Sequence, residues 1–170
     1  QAVYLRPDIR RYAEISRTVF AALTAITPSV EKASIDEAYL DLTGLEKLLG
    51  PPVEIGNRIK AVIREAAELP ASVGIGPNRL IAKLGSDYRK PDGLTVVQPN
   101  EVLDFIGPLP VSVLRGNGPV TQKVFRRLNI ATCADLRRCD TAFLAQHLGR
   151  RAAIGFKRQA RGVAGSRIVP

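Results

Sequence analysis

Ser34-Ile35-Asp36-Glu37-Ala38-Tyr39-Leu40-Asp41-Leu42-Thr43-Gly44 sets two adjacent carboxylates inside sequence that otherwise reads as paired strands. Val30, Ala33 and Ile35 before them, and Ala38, Leu40 and Leu42 after them, are apolar positions that a sheet can bury. Asp36 and Glu37 then fall at the tip or edge of a hairpin. Neighbouring strand residues face opposite ways, so bringing both carboxylates onto one ion requires a local turn or bulge. Two acids with no Cys or His nearby suit a hard cation such as Mg²⁺ better than zinc, because Mg²⁺ takes a few carboxylate oxygens with water and phosphate. A solvated acidic turn accounts for the same two residues, and the rest of the chain has to choose.

Upstream, Arg6-Pro7-Asp8 starts a helix whose apolar positions Ile9, Tyr12, Ile15, Val19, Phe20, Leu23 and Ile26 recur at helical spacing until Pro28, a stripe suited to covering one face of the sheet. Downstream, Gly50-Pro51-Pro52 opens a second helix, with Val53, Ile55, Ile59, Val62, Ile63 and Ala66 inward and Arg58, Lys60 and Arg64 outward. Ala71-Ser72-Val73-Gly74-Ile75-Gly76 then reads as a short buried strand leading into a helix with Leu80, Ile81 and Leu84. Arg79 and Lys83 share a face of that helix, toward a phosphate backbone or toward solvent. Lys90-Pro91-Asp92-Gly93 is a turn before the strand Leu94-Thr95-Val96-Val97, and Lys90 there is a point charge for a phosphate or a plain turn residue.

Net charge is distributed unevenly. Residues 1–108 hold 13 Lys+Arg against 14 Asp+Glu, and residues 109–170 hold 12 against 2, so the second part carries +10 and the first −1. A basic helical module of this kind points to a polyanion, most often nucleic acid. The charge change coincides with Gly107-Pro108-Leu109-Pro110, which sets the expected domain cut at 1–108 and 109–165, with 166–170 as the start of a linker. Beyond it, Gly116-Asn117-Gly118 forms a turn between helices and Pro119 starts the next one. Close backbone approach at the glycines, the helix N-terminus, Thr121 and Lys123 together suit a backbone phosphate. Short anchors at Ala134-Asp135-Leu136, Phe143-Leu144 and Ile154-Gly155-Phe156 complete a small helical domain.

The 170 residues, 45% hydrophobic and 24% charged, suffice for one good-sized domain or two small ones. No apolar run is long enough to span a bilayer, so no membrane partner is expected. Cys133, Cys139 and His147 are too few and wrongly spaced for structural zinc, and read as reduced residues of a cytoplasmic protein. The chain has no Met and starts, at Gln1, directly in structured sequence, which leads us to expect a piece of a longer protein.

Taken in order, residues 34–41, 72–76, 90–93 and 114–130 resemble the Y-family, or lesion-bypass, DNA polymerases, most of all their DNA polymerase IV branch. The resemblance covers nearly the whole chain. It implies an α+β fold, a palm with an antiparallel or mixed sheet covered by helices, followed by an all-α thumb with a helix-hairpin-helix. It implies error-prone, template-directed nucleotidyl transfer to a primer 3′ end by two Mg²⁺ ions, with Mn²⁺ as a substitute. In that family one ion activates the primer hydroxyl and the other holds the incoming triphosphate. Asp36 and Glu37 would then be catalytic metal ligands, Lys90 a triphosphate contact, and Gly116, Asn117, Gly118, Thr121, Lys123, Arg79 and Lys83 DNA contacts. The implied partners are primer-template DNA, deoxynucleoside triphosphates and a sliding clamp reached through regions outside this sequence. The family's first metal-binding aspartate would precede Gln1 and its little finger would follow Pro170, so the chain alone is expected to be inactive. Asn117 departs from the branched apolar residue usual in the hairpin. The rival reading is a non-catalytic paralogue or a stand-alone helix-hairpin-helix DNA binder.

Overall fold

A computed structural model describes residues 3–169 of the chain. Asp8 caps the first helix by accepting the Arg11 N–H at 2.9 Å, one of the donors a helix leaves open at its start. This helix, α1, runs Ile9–Thr24. Strands β1 (Val30–Lys32) and β2 (Ala38–Leu40) pair antiparallel, with Val30 opposite Leu40, Glu31 opposite Tyr39 and Lys32 opposite Ala38. A one-turn helix α2 (Glu46–Leu49) precedes α3 (Pro52–Ala67), which begins with proline where a missing N–H costs nothing. Leu23 of α1 and Ile55, Ile59 and Ile63 of α3 form one core, with Val19, Ile26, Val30, Ala38, Leu40 and Leu42 packed against it.

The apolar stripe of α1 is only half used. Ile9 and Tyr12 are 63% and 48% exposed, because that core meets the C-terminal half of the helix. Ile35, expected inward, is 42% exposed, because it belongs to the turn and not to β1. Val53 at the start of α3 also faces outward.

β3 (Val73–Ile75), α4 (Arg79–Tyr88) and β4 (Leu94–Val96) follow, and β3 and β4 make a second two-stranded sheet where the sequence suggested a single larger one. α4 is capped by Asn78, whose Oδ1 accepts the N–H groups of Leu80 and Ile81 at 3.1 Å each. The remaining helices are α5 (Val102–Ile106), α6 (Pro119–Arg127), α7 (Cys133–Arg138), α8 (Thr141–Leu148) and α9 (Arg150–Ala160). No helix among the described residues is long and apolar enough to cross a membrane.

The chain divides into two compact units. One takes in the residues up to Val73, Arg89–Leu94 and those from Arg167 on; the other takes in Gly74–Tyr88 and Thr95–Ser166. This division differs from a cut after Pro108. Leu80, Ile81, Val102 and Ile106 share one core with Leu114, Phe125, Leu136, Leu144 and Phe156. Backbone bonds also cross the proline-rich stretch: the Val111 N–H donates to Ala131 O at 2.9 Å, Cys133 N–H to Leu109 O at 2.9 Å and Ala134 N–H to Gly107 O at 3.0 Å. Charge is a property of the surface, and it changes here inside a continuous core.

In the second unit Thr132 and Asp135 cap α7 reciprocally, and hydrogen bonds from Thr132 hold the Asp135 carboxyl below the usual range. Burial pushes the Cys133 thiol up to about 11, so it stays an inert thiol at neutral pH. Cys133 and Cys139 are both free. Lys157, read as one basic residue among many, is buried, and its Nζ donates to the Arg137 carbonyl at 2.7 Å and to that of Cys139, closing the last turn of α7.

Candidate functional site

The candidate residues fall in both units. Asp36, Glu37 and Lys90 lie in the first, and Arg79, Lys83 and the residue 116–123 turn lie in the second.

The hairpin closes as its sequence requires. Ala33 N–H and Ser34 N–H both donate to Glu37 O, at 2.9 and 3.2 Å, and the Ser34 hydroxyl donates to Asp36 Oδ1 at 2.6 Å. Asp36 is exposed, Glu37 half-buried, and both stand in the turn between the strands, free of the strict alternation a strand would impose. Two carboxylates with no imidazole or thiol form a hard, all-oxygen donor pair that fits a divalent cation such as Mg²⁺. Among the described residues no group of three or more His, Cys, Asp or Glu side chains forms a larger metal cluster. Asp41, nearby in sequence, turns to Thr43 instead: its carboxylate accepts the Thr43 N–H at 2.9 Å and is held below the usual range by that residue.

Lys90 is exposed in the turn after α4. Two residues on, Asp92 adopts a left-handed backbone (φ +58°) and is gripped from α3. Lys60 Nζ lies 3.2 Å from one of its carboxylate oxygens and Arg64 Nη2 lies 2.8 Å from the other, while Lys60 also donates to the Asp92 carbonyl. Lys60 and Arg64, expected to face solvent, are therefore tethers for the Lys90 turn.

Lys60 holds the Asp92 carboxyl below its ordinary range, with Arg64 assisting. The folded-state value is depressed relative to a free carboxyl near ~3.9, so the clamp is complete above that pH and is lost as pH falls through the depressed value. Carboxyl ¹³C titration should give Asp92 a midpoint below ~3.9, and Lys60→Met should move it upward. A midpoint unmoved by that substitution would separate Lys60 from the clamp.

In the second unit a 3-10 turn, Val111–Val113, stands where a first helix was expected, since Pro110 and Gly116 leave little room between them. Gly116 has φ +84°, a conformation that favours glycine. Gly118 precedes Pro119, and α6 starts with no side-chain cap, leaving its first N–H groups without intrahelical partners. A Cβ on Gly118 would meet nothing within 4 Å, so this edge is open. Thr121 is half-buried and Lys123 exposed. Asn117, expected to face a ligand, turns inward: it is 8% exposed and its Nδ2 donates to Val111 O at 2.6 Å. Its backbone is engaged as well, the N–H donating to Leu114 O at 3.3 Å and the carbonyl accepting from Gln122 Nε2 at 3.0 Å.

On α4, Arg79 and Lys83 do share a face, but Lys83 Nζ is 3.1 Å from Asp87 one turn on, and the Arg79 N–H donates to Gly165 O at 3.4 Å. A basic cleft went unread in the sequence. A cavity of about 580 Å³ is lined by Arg115, Gly116, Gly149, Arg150, Arg151 and Gln159, among others. Its signal was present: Gly149 (φ +79°) precedes the uncapped α9, much as Gly118 precedes α6, and two arginines follow.

The sequence pattern of the impB/mucB/samB family matches residues 1–87. A DNA polymerase IV of Ralstonia nicotianae is 42% identical over 151 residues, covering 89% of this chain and 42% of that protein. A DNA polymerase IV of Leptospira interrogans is 40% identical over 157 residues, covering 92% and 43%. The chain thus spans less than half the length of these relatives. Among solved structures, DinB from Sulfolobus solfataricus superposes with TM-score 0.87 at 29% identity over 98% of this chain and 49% of that one. An insertion ternary complex of Dbh DNA polymerase does so with TM-score 0.85, at 29% identity, over 98% and 49%.

Proposed function

Because this chain belongs to the impB/mucB/samB family of Y-family DNA polymerases, we propose that it supplies palm and thumb elements of a template-directed, error-prone DNA polymerase acting in translesion synthesis and DNA repair. The observation that carries this reading is the β1–β2 hairpin, whose turn carries the exposed Asp36 and the half-buried Glu37 next to each other in the chain, inside the family match. Asp36 and Glu37 would hold Mg²⁺, or Mn²⁺ in its place, which when bound supplies Lewis-acid stabilisation of phosphoryl charge. Lys90, its turn tethered by Asp92, would meet the triphosphate of a deoxynucleotide. Gly116, Gly118, Thr121 and Lys123 would grip a DNA backbone phosphate as the hairpin of a helix-hairpin-helix, with Asn117 bracing the turn from inside and Arg115, Arg150 and Arg151 as further cations. Arg79 and Lys83 on α4 are weaker candidates for the same DNA.

Two carboxylates are too few for a pair of closely spaced divalent ions, whose repulsion needs a bridging ligand. The 170-residue chain by itself is therefore expected to bind primer-template DNA without extending it. A cytoplasmic setting and a sliding clamp reached through other regions complete this reading.

The test is fluorescence anisotropy with duplex DNA as salt is raised. Contact with two or three phosphates should give a slope of log K against log salt of about −2 to −3. Binding insensitive to salt would remove the basic unit from DNA recognition.

A further inference from the structure

The Gly116–Gly118 turn is held by amide side chains, one of them from far along the chain. Gln159, in the last turn of α9, faces the backbone of Arg115 and bonds it in both directions: the Arg115 N–H donates to Gln159 Oε1 at 2.9 Å, and Gln159 Nε2 donates to Arg115 O at 3.1 Å. This reproduces the paired bonds between two strands, with a side chain taking the place of one. From within the turn, Asn117 Nδ2 reaches Val111 O, and Gln122 Nε2 donates to Asn117 O at 3.0 Å. The residue immediately before the left-handed Gly116 is thus fixed to a helix 44 positions away in sequence. Arg115 and Gln159 also both line the arginine-bearing cavity.

We propose that Gln159 is a positioning residue for DNA binding: its amide fixes the Arg115 backbone, and so sets where the Gly116–Gly118 backbone and the Arg115 side chain meet a phosphate. The amide satisfies both backbone groups at once, which a carboxylate or a hydrocarbon of the same length does not. Untethered, the turn has to be ordered when DNA binds, and that entropy is charged to affinity. This rests on the reading of the turn as a DNA contact, and the experiment separates the two.

Gln159→Leu, Gln159→Glu and the wild-type chain are compared by thermal unfolding, by amide exchange of the Arg115 N–H, and by duplex DNA anisotropy over a salt series. The Leu variant should stay folded, lose protection at Arg115, bind about 10-fold more weakly and show a salt slope shallower by about 0.9, one phosphate contact. The Glu variant can accept the Arg115 N–H and so keeps protection there, but it cannot donate to Arg115 O and should bind with intermediate affinity. A folded Leu variant with a deprotected Arg115 amide and unchanged affinity and slope overturns the proposal while leaving DNA binding by this unit intact. A wild-type chain that binds no DNA overturns the reading of the turn and this proposal with it. Should the Leu variant unfold, the Glu variant decides: weaker binding with a normal melting profile supports the role, and wild-type binding rejects it.

Discussion

Asp36→Ala and Glu37→Ala should each lower primer extension with Mg²⁺ by about 10³-fold or more, roughly 4 kcal/mol of transition-state stabilisation. The measurement uses a polypeptide that carries this chain at the length of its relatives, since the chain spans 42% and 43% of the two compared above. Alanine at position 36 also removes the acceptor of the Ser34 hydroxyl, so a loosened turn is a second cause of loss. Asp36→Asn separates the causes. Its amide oxygen still accepts from Ser34, while its negative charge is gone, and activity should fall nearly as far as with alanine. The loss should appear in kcat, with DNA affinity unchanged, because charge that develops in the transition state is what a bound divalent ion stabilises. Activity restored by Asn would reduce Asp36 to a turn residue. Folded, DNA-binding protein with no extension even before substitution would favour a non-catalytic, polymerase-like binding protein.

Gly74→Ala is expected to destabilise the chain by about 3 kcal/mol or more, a large part of a domain's ~5–15 kcal/mol. A Cβ at Gly74 would lie 2.0 Å from Ala82 O, 2.3 Å from Ser86 N and 2.7 Å from Gly85 C. All three are backbone atoms of α4, so no rotamer change relieves the clash and the helix has to move off the strand. Gly85 answers it from the helix side, where a Cβ would come within 3.2 Å of Gly74 Cα. Gly155→Ala provides the control of opposite sign. In α9 an added Cβ there meets nothing within 4 Å, and replacing a mid-helix glycine should stabilise by ~0.5–1 kcal/mol. Urea unfolding of both variants measures the difference. A Gly74→Ala protein as stable as the wild type would show that α4 and β3 are not in close contact.

Much of this is legible in the sequence alone. The Asp36-Glu37 hairpin, the Asp8 start of α1, Pro52 and Pro119 at the first position of their helices, and the strand-to-helix passage after Gly74 are set by neighbours a few residues apart. Turn closure, capping and side-chain alternation act over that range. The +10 charge of residues 109–170 was equally plain and pointed toward a polyanion. The two compact units divide elsewhere than at this charge boundary, because surface composition does not report which apolar side chains share a core.

What the sequence by itself determined, then, was the local frame: which residues turn, which start helices, and that two adjacent carboxylates fall in the turn of a hairpin. Only the tertiary structure decided that Asn117 faces inward, that Lys60 and Arg64 seize Asp92, that Lys157 closes α7, and that Gln159 fastens Arg115. The spans of 28 residues from Arg64 to Asp92, 20 from Arg137 to Lys157 and 44 from Arg115 to Gln159 lie far outside the reach of local rules. Each exists because packing brought a polar side chain opposite a backbone group or charge it could satisfy, and a one-dimensional pattern carries no record of what will stand opposite.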